Sequence, residues 1–235
     1  MQGSEWQTAS LQQTPTDLWA HKSELTAYQV WVVYRVAVRQ LNLFHPGRVS
    51  DNSCRKLQCC QGVTETMEHI CWTCPCAQAC WLQLICHWTG ERWTLGQLRH
   101  FLANCASRRA PELSKVVQER LTRHHPDEVD AYAAVWKRIW RILSSICITS
   151  LWIQRNRVTF QRAQVTIANS VNEFWTTSMR QLRAVAKRDS RRPDTKLDGT
   201  RLMLCQRVIA SEPREPSPQV TSPYNYRTRL RNRRC

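Results

Sequence analysis

Residues 54–81 read CRKLQCCQGVTETMEHICWTCPCAQACW and hold seven of the chain's twelve cysteines together with one histidine. Thiolate sulfur and imidazole nitrogen are the ligands of closed, four-coordinate zinc sites. The spacing offers Cys54, Cys60, His69 and Cys74 as the set. Cys59 is the alternative to Cys60, because two adjacent cysteines do not readily point at one ion. Four residues separate His69 from Cys74, within the range such sites use. Thr64 is placed to cap a short helix over 65–72 that carries His69 on one face. Pro75 suits the first turn of a second helix, 75–88, with Trp81, Leu84 and Ile85 inward. Cys71, Cys76 and Cys80 are spare thiols, and Glu65 reads as a helix-start or supporting group. The competing reading is a set of incidental buried thiols, since free cysteine is often a small core residue.

Outward from this knot the pattern is helical. Ala27, Val30, Trp31, Tyr34, Val38 and Leu41 recur at three and four residues, giving a helix over 18–44 that Asp17 can cap. Short helices are expected over 94–104 and 112–125. Asp127 is placed to cap a long helix over 128–162. Its stripe of Tyr132, Val135, Trp136, Ile139, Trp140, Leu143, Ile146, Cys147, Ser150 and Trp152 suits a bundle helix or a coiled-coil seam. A last helix covers 164–187. The polar start, 1–16, and the proline-bearing end, 189–235, read as disordered. Six glycines in 235 residues and no alternating runs exclude a β-rich fold. The expectation is all-α: a disordered start at 1–16, a helical domain over 17–187 containing a zinc knot at 54–81, and a disordered basic tail over 189–235.

The net charge is +16, and it is uneven: residues 151–235 hold 18 Lys and Arg against 6 Asp and Glu. Such a balance points to a polyanion, RNA or DNA. Candidate phosphate contacts are Arg155, Arg157 and Arg162 after Trp152, then Arg188, Arg191 and Arg192, then Arg229, Arg231, Arg233 and Arg234 beside Tyr224 and Tyr226. For Arg155 a second reading stands alongside: a buried Trp152, with Arg155 and Asn156 bonded to nearby backbone. The final arginines also read as a nuclear-import signal. No apolar run reaches membrane-span length, and the start lacks a secretory pattern, so an intracellular, reducing and nuclear setting is expected. No Gly-rich phosphate loop, nucleophile motif or paired catalytic carboxylates appear. His124-His125 with Asp127 reads as a solvated helix end.

The knot resembles the zinc-binding domain of reverse transcriptases from LINE-like, non-LTR retrotransposons. Glu65-Thr66-Met67-Glu68-His69 matches that family's E-T-x-x-H, and Cys74 to Trp81 matches its C-P-x-A-x-x-x-W. Trp31, Tyr34 and Arg35 resemble the aromatic and basic helix before the knot. Trp152, Arg155, Asn156 and Phe160 resemble its W-x-x-R-N-x-x-x-F close. The departure is at the front, where the family's first cysteine falls at Lys56 or Leu57 and Cys54 stands in from a longer loop. The resemblance covers roughly 20–162. It implies a non-catalytic module that engages RNA or DNA beside a reverse transcriptase, here without the polymerase, as a fragment of such an element or a stand-alone descendant. The rival expectation is a helical protein–protein interaction module, pairing through the long helix and binding no metal.

Overall fold

The computed structural model describes residues 4–19, 23–45 and 47–211. Among them the chain is all-α, with no strand beyond one antiparallel bridge between Ser53 and Thr64. The helices are α1 (Glu5–Ser10), α2 (Pro15–Trp19), α3 (Ala27–Ala37), α4 (Pro75–Thr89), α5 (Leu102–Ser107), α6 (Lys115–His124), α7 (Val129–Gln161), α8 (Ile167–Asp189) and α9 (Lys196–Ala210).

α7 is the axis of the bundle. Every residue from Ile142 to Trp152 is buried, so no face of that stretch is left over. A helix apolar all round is one packed on all sides; α3, α4, α8 and α9 supply the neighbours. This excludes the coiled-coil option for the stretch. α4 enters at Pro75 and ends at Gly90, whose φ of 71° is the left-handed cap that glycine adopts freely. Its buried face of Cys76, Ala77, Cys80, Trp81, Leu84, Ile85 and Trp88 meets α7 and α8. Trp88 and Trp136 lock α4 to α7 reciprocally. Each indole N–H donates to the other residue's carbonyl, at 3.2 and 2.9 Å.

Several expected boundaries change. The 18–44 helix is shorter: Thr26 and Gln29 form a capping box that starts α3 at Ala27, and Arg39 turns to a φ of 56° after it. Asp127 does not cap α7; it lies in a 3-10 turn, Pro126–Glu128, that leads into it. Two segments expected to be disordered are helical. At the start, Ser4 caps α1, and Trp6, 1% exposed, stacks on Trp72 at 5.5 Å. After α8, the chain turns back as α9, which buries Leu202, Cys205 and Ile209 against α7 and α8. The expected disorder over 212–235, and Arg229, Arg231, Arg233 and Arg234 with it, lies outside the described residues.

Candidate metal centre

Cys54, Cys60, His69 and Cys74 are all buried, and one ligand atom from each lies within 4.8 Å of all the others. In an ideal tetrahedron at zinc–sulfur distances the ligand atoms sit about 3.8 Å apart, so at most about 1 Å of closure is needed. Cys60 is buried and belongs to the cluster, whereas Cys59 is exposed.

The local chain explains the convergence. The loop bearing Cys54 and Cys60 is tied by Cys54 N–H to Val63 carbonyl and Cys60 N–H to Leu57 carbonyl, at 2.9 and 3.0 Å. Thr66, rather than Thr64, opens the next turn: its Oγ1 accepts from His69 N–H at 2.9 Å. His69–Thr73 is a π-helical turn, closed by Cys74 N–H donating to His69 carbonyl at 2.8 Å. On a regular α-helix, residues five apart point about 140° away from each other. The wider i→i+5 turn brings His69 and Cys74 to one side, in keeping with the frequent use of such turns at functional sites.

The donor set fits a metal on its own chemistry. His69 Nδ1 pairs with Thr73 Oγ1 at 3.0 Å, and Nε2 is buried without a hydrogen-bond partner. With Nδ1–H donating to Thr73, Nε2 keeps a lone pair for an ion, the outer-shell arrangement common to ligating histidines. The sulfurs crowd one another. The Cys54 thiol is pushed far up, first by its hydrogen bond to Cys74 and then by burial. Cys60 is pushed up to about 12, by burial and then by the charge on Cys74. Cys74 is held low by hydrogen bonds from Cys54 and Cys76. One thiolate thus serves as acceptor for its neighbours, and a cation that takes over that role releases their protons.

Lys56 supplies the counter-charge. It is 6% exposed, and its Nζ has no hydrogen-bond partner. Its positive charge acts on Cys71, Cys74, Cys76 and Cys80. Three thiolates around a divalent ion leave one negative charge in excess, which a buried ammonium offsets. The sequence reading missed Lys56, although it is one of the two positions, with Leu57, where the resembled family's first cysteine would fall.

The basic residues do not form one face. Arg155 is 1% exposed and ion-paired with Glu65 at 2.6 Å, so its expected phosphate role is corrected. Its NH2 group donates to the Leu43 carbonyl, and it packs over Trp152, close to the buried-residue reading. Arg157 pairs with Glu173 at 2.7 Å. Arg162 is exposed at the left-handed end of α7. Arg188 pairs with Asp189 and also reaches the Ser23 carbonyl, while Arg191 and Arg192 are exposed beyond α8. Arg162 precedes α8, while Arg188, Arg191 and Arg192 lie at or beyond its far end, and α8 itself is about 33 Å long. His125 stacks on Tyr132 at 3.7 Å, as a helix end rather than a second metal site.

No family model matches the chain, and it has no significant match among curated proteins or solved structures. Among the described residues no helix is long and apolar enough to cross a membrane.

Proposed function

We propose that the chain is a non-catalytic, zinc-nucleated module that binds RNA or DNA, similar in role to the zinc-binding domain of LINE-type reverse transcriptases and acting beside such an enzyme in the nucleus. The observation that carries it is the convergence of three cysteines and one histidine from the 54–60 loop and the 69–74 turn into one buried cluster. Three sulfurs and one nitrogen are a zinc donor set, and four protein ligands leave no position for a reacting water. The ion would hold shape, and its binding energy would be folding energy. The charge of +16 supplies the attraction for phosphate. The rival, a metal-free interaction helix, is disfavoured because Trp136, Trp140 and Trp152 on α7 are buried within the chain.

The test is metal analysis of protein purified without chelator, with salt-dependent RNA and DNA binding. About one zinc per chain, lost in Cys74→Ser, supports the reading, as does affinity that falls steeply with salt. Zinc-free folded protein that binds neither nucleic acid overturns it.

A further inference from the structure

α3 carries an aromatic face that the described residues leave partly exposed. Val30, Val32, Val33, Val36 and Ala37 turn inward. Tyr28, Trp31 and Tyr34 turn outward and are 45, 45 and 37% exposed; Trp19 of α2 joins them at 50%. The rings are arranged with respect to one another. Tyr28 stacks on Trp31 at 5.7 Å and 21°, and Trp19 leans on Tyr34 at 6.1 Å. The Arg35 guanidinium lies over Trp31, 5.4 Å from its centroid. Trp19, Trp31 and Tyr34 also line an open hollow with Ala27 and Val30. An exposed apolar patch of this kind marks a binding surface.

The charges around it indicate the occupant. Arg188 donates to the Ser23 carbonyl, just before α3, and Gln181 of α8 bonds Glu24 carbonyl and Gln29. The basic end of α8, with Lys187, Arg188, Arg191 and Arg192, is therefore set beside the start of the aromatic helix. The nearby carboxylates are ion-paired: Glu24 and Asp189 with Arg138, and Asp17 with Arg109. Aromatic planes interleaved with arginine grip unpaired bases by stacking and the backbone by charge. A duplex keeps its bases stacked on each other and cannot use such planes.

We infer that Trp19, Tyr28, Trp31 and Tyr34, with Arg35 and the Arg188–Arg192 end of α8, form a stacking platform for single-stranded nucleic acid. The inference rests on the nucleic-acid reading above and assigns it a place and a strand preference. Each stacked ring is worth roughly tenfold or more in affinity.

The test uses the full chain and fluorescence anisotropy with labelled oligouridylate, oligothymidylate and a duplex. Wild-type protein is expected to prefer single strands, the two homopolymers showing whether RNA or DNA is favoured. Tyr28→Ala/Trp31→Ala should lose at least tenfold on single strands, and Trp31→Phe should keep most of the affinity. Circular dichroism and metal content should be unchanged in both, because these side chains are half exposed. Arg191→Ala/Arg192→Ala should weaken binding and flatten its salt dependence. Wild-type binding that the aromatic variants leave intact, or equal affinity for duplex, overturns the platform and spares the broader reading. Absence of binding by wild-type protein overturns both. A dimer that dissociates in Trp31→Ala while nucleic-acid affinity holds would assign the face to a second copy of the chain and overturn the inference.

Discussion

Arg155 and Glu65 meet in a buried ion pair across 90 residues of chain. Arg155 Nε and Nη2 both donate to Glu65 Oε1, at 3.0 and 2.6 Å. Glu65 also accepts from Arg48, at 3.1 Å on the carboxylate and 2.8 Å on its carbonyl, and its own N–H donates to Asn52 carbonyl at 2.8 Å. One carboxylate thus holds the loop before the knot, the knot and the end of α7 together. Glu65 and Arg155 belong to the two segments that carry the sequence resemblance, so the two motifs are halves of one clamp.

Removing the carboxylate leaves Arg155 a buried charge without its partner, whereas removing Arg155 leaves Glu65 paired with Arg48. Glu65→Gln is expected to cost about 3–5 kcal/mol in denaturant unfolding, and Arg155→Ala less. Arg155→Lys should rescue little, because an ammonium cannot supply the planar fork that Glu65 receives. A phosphate-contact role for Arg155 would instead leave stability unchanged and reduce nucleic-acid affinity.

The clamp shows what a sequence hides. α4, α7 and α8 were legible because their apolar positions repeat every three or four residues over several turns. The four residues that cluster, Cys54, Cys60, His69 and Cys74, were legible as a group because residue type limits the choice. The burial of Arg155 was not, since its partner is distant in sequence and an arginine in a basic run looks solvated. The π turn was hidden too, because an i→i+5 closure leaves no composition signal. α1 has six residues, and only Trp6 marks its packing. α9 was hidden because the chain turns polar at Asp189 and carries prolines on both sides of the helix, and Gly199 is a poor helix former.

Gly199 is instead a contact point. A Cβ there would collide with the backbone of Asp189 and Ser190, at the junction where α9 folds onto α8. Helix propensity alone predicts that Gly→Ala stabilises a helix interior by roughly 0.5–1 kcal/mol. The packing predicts the opposite sign: Gly199→Ala should destabilise by about 1–3 kcal/mol, as overpacking does. Gly96→Ala is the control, since nothing lies within 4 Å of a Cβ there. Thermal midpoints of the two variants read out the difference, and a stabilised Gly199→Ala would refute the α8–α9 packing.

Asp189 gives the fold an acid-sensitive point. Burial raises its carboxyl, but Arg138 at 2.6 Å and Arg188 at 2.7 Å outweigh that and hold it below its ordinary value of 3.8. A carboxyl with a depressed folded value stabilises above its unfolded value, and that stability is lost as pH falls through the folded one. Asp189→Asn should therefore be less stable than wild type at neutral pH, and the gap should close below about pH 4. Equal stability across the whole range, measured by urea unfolding, would deny Asp189 this role.

Metal removal tests the knot against the bundle. With a chelator, the thiols of Cys54 and Cys60 regain protons, while Cys74 stays the thiolate that accepts from its neighbours. The bonds that tie the loop to the 69–74 turn through the ion are lost, and the chain nearest to yielding is the loop that carries Cys54 and Cys60. That loop has a single bridge, Ser53 to Thr64, and a few backbone bonds to hold it. α7, by contrast, is packed on all sides between Ile142 and Trp152. Hydrogen exchange should therefore show residues 54–74 losing protection on chelation while the centre of α7 keeps it. Lys56→Met removes the charge that offsets the metal-loaded site, so that site should release its ion at a lower chelator concentration than in wild type. Uniform loss of protection through α7 would show instead that the ion nucleates the whole bundle, and no change anywhere would show that these four residues hold no metal.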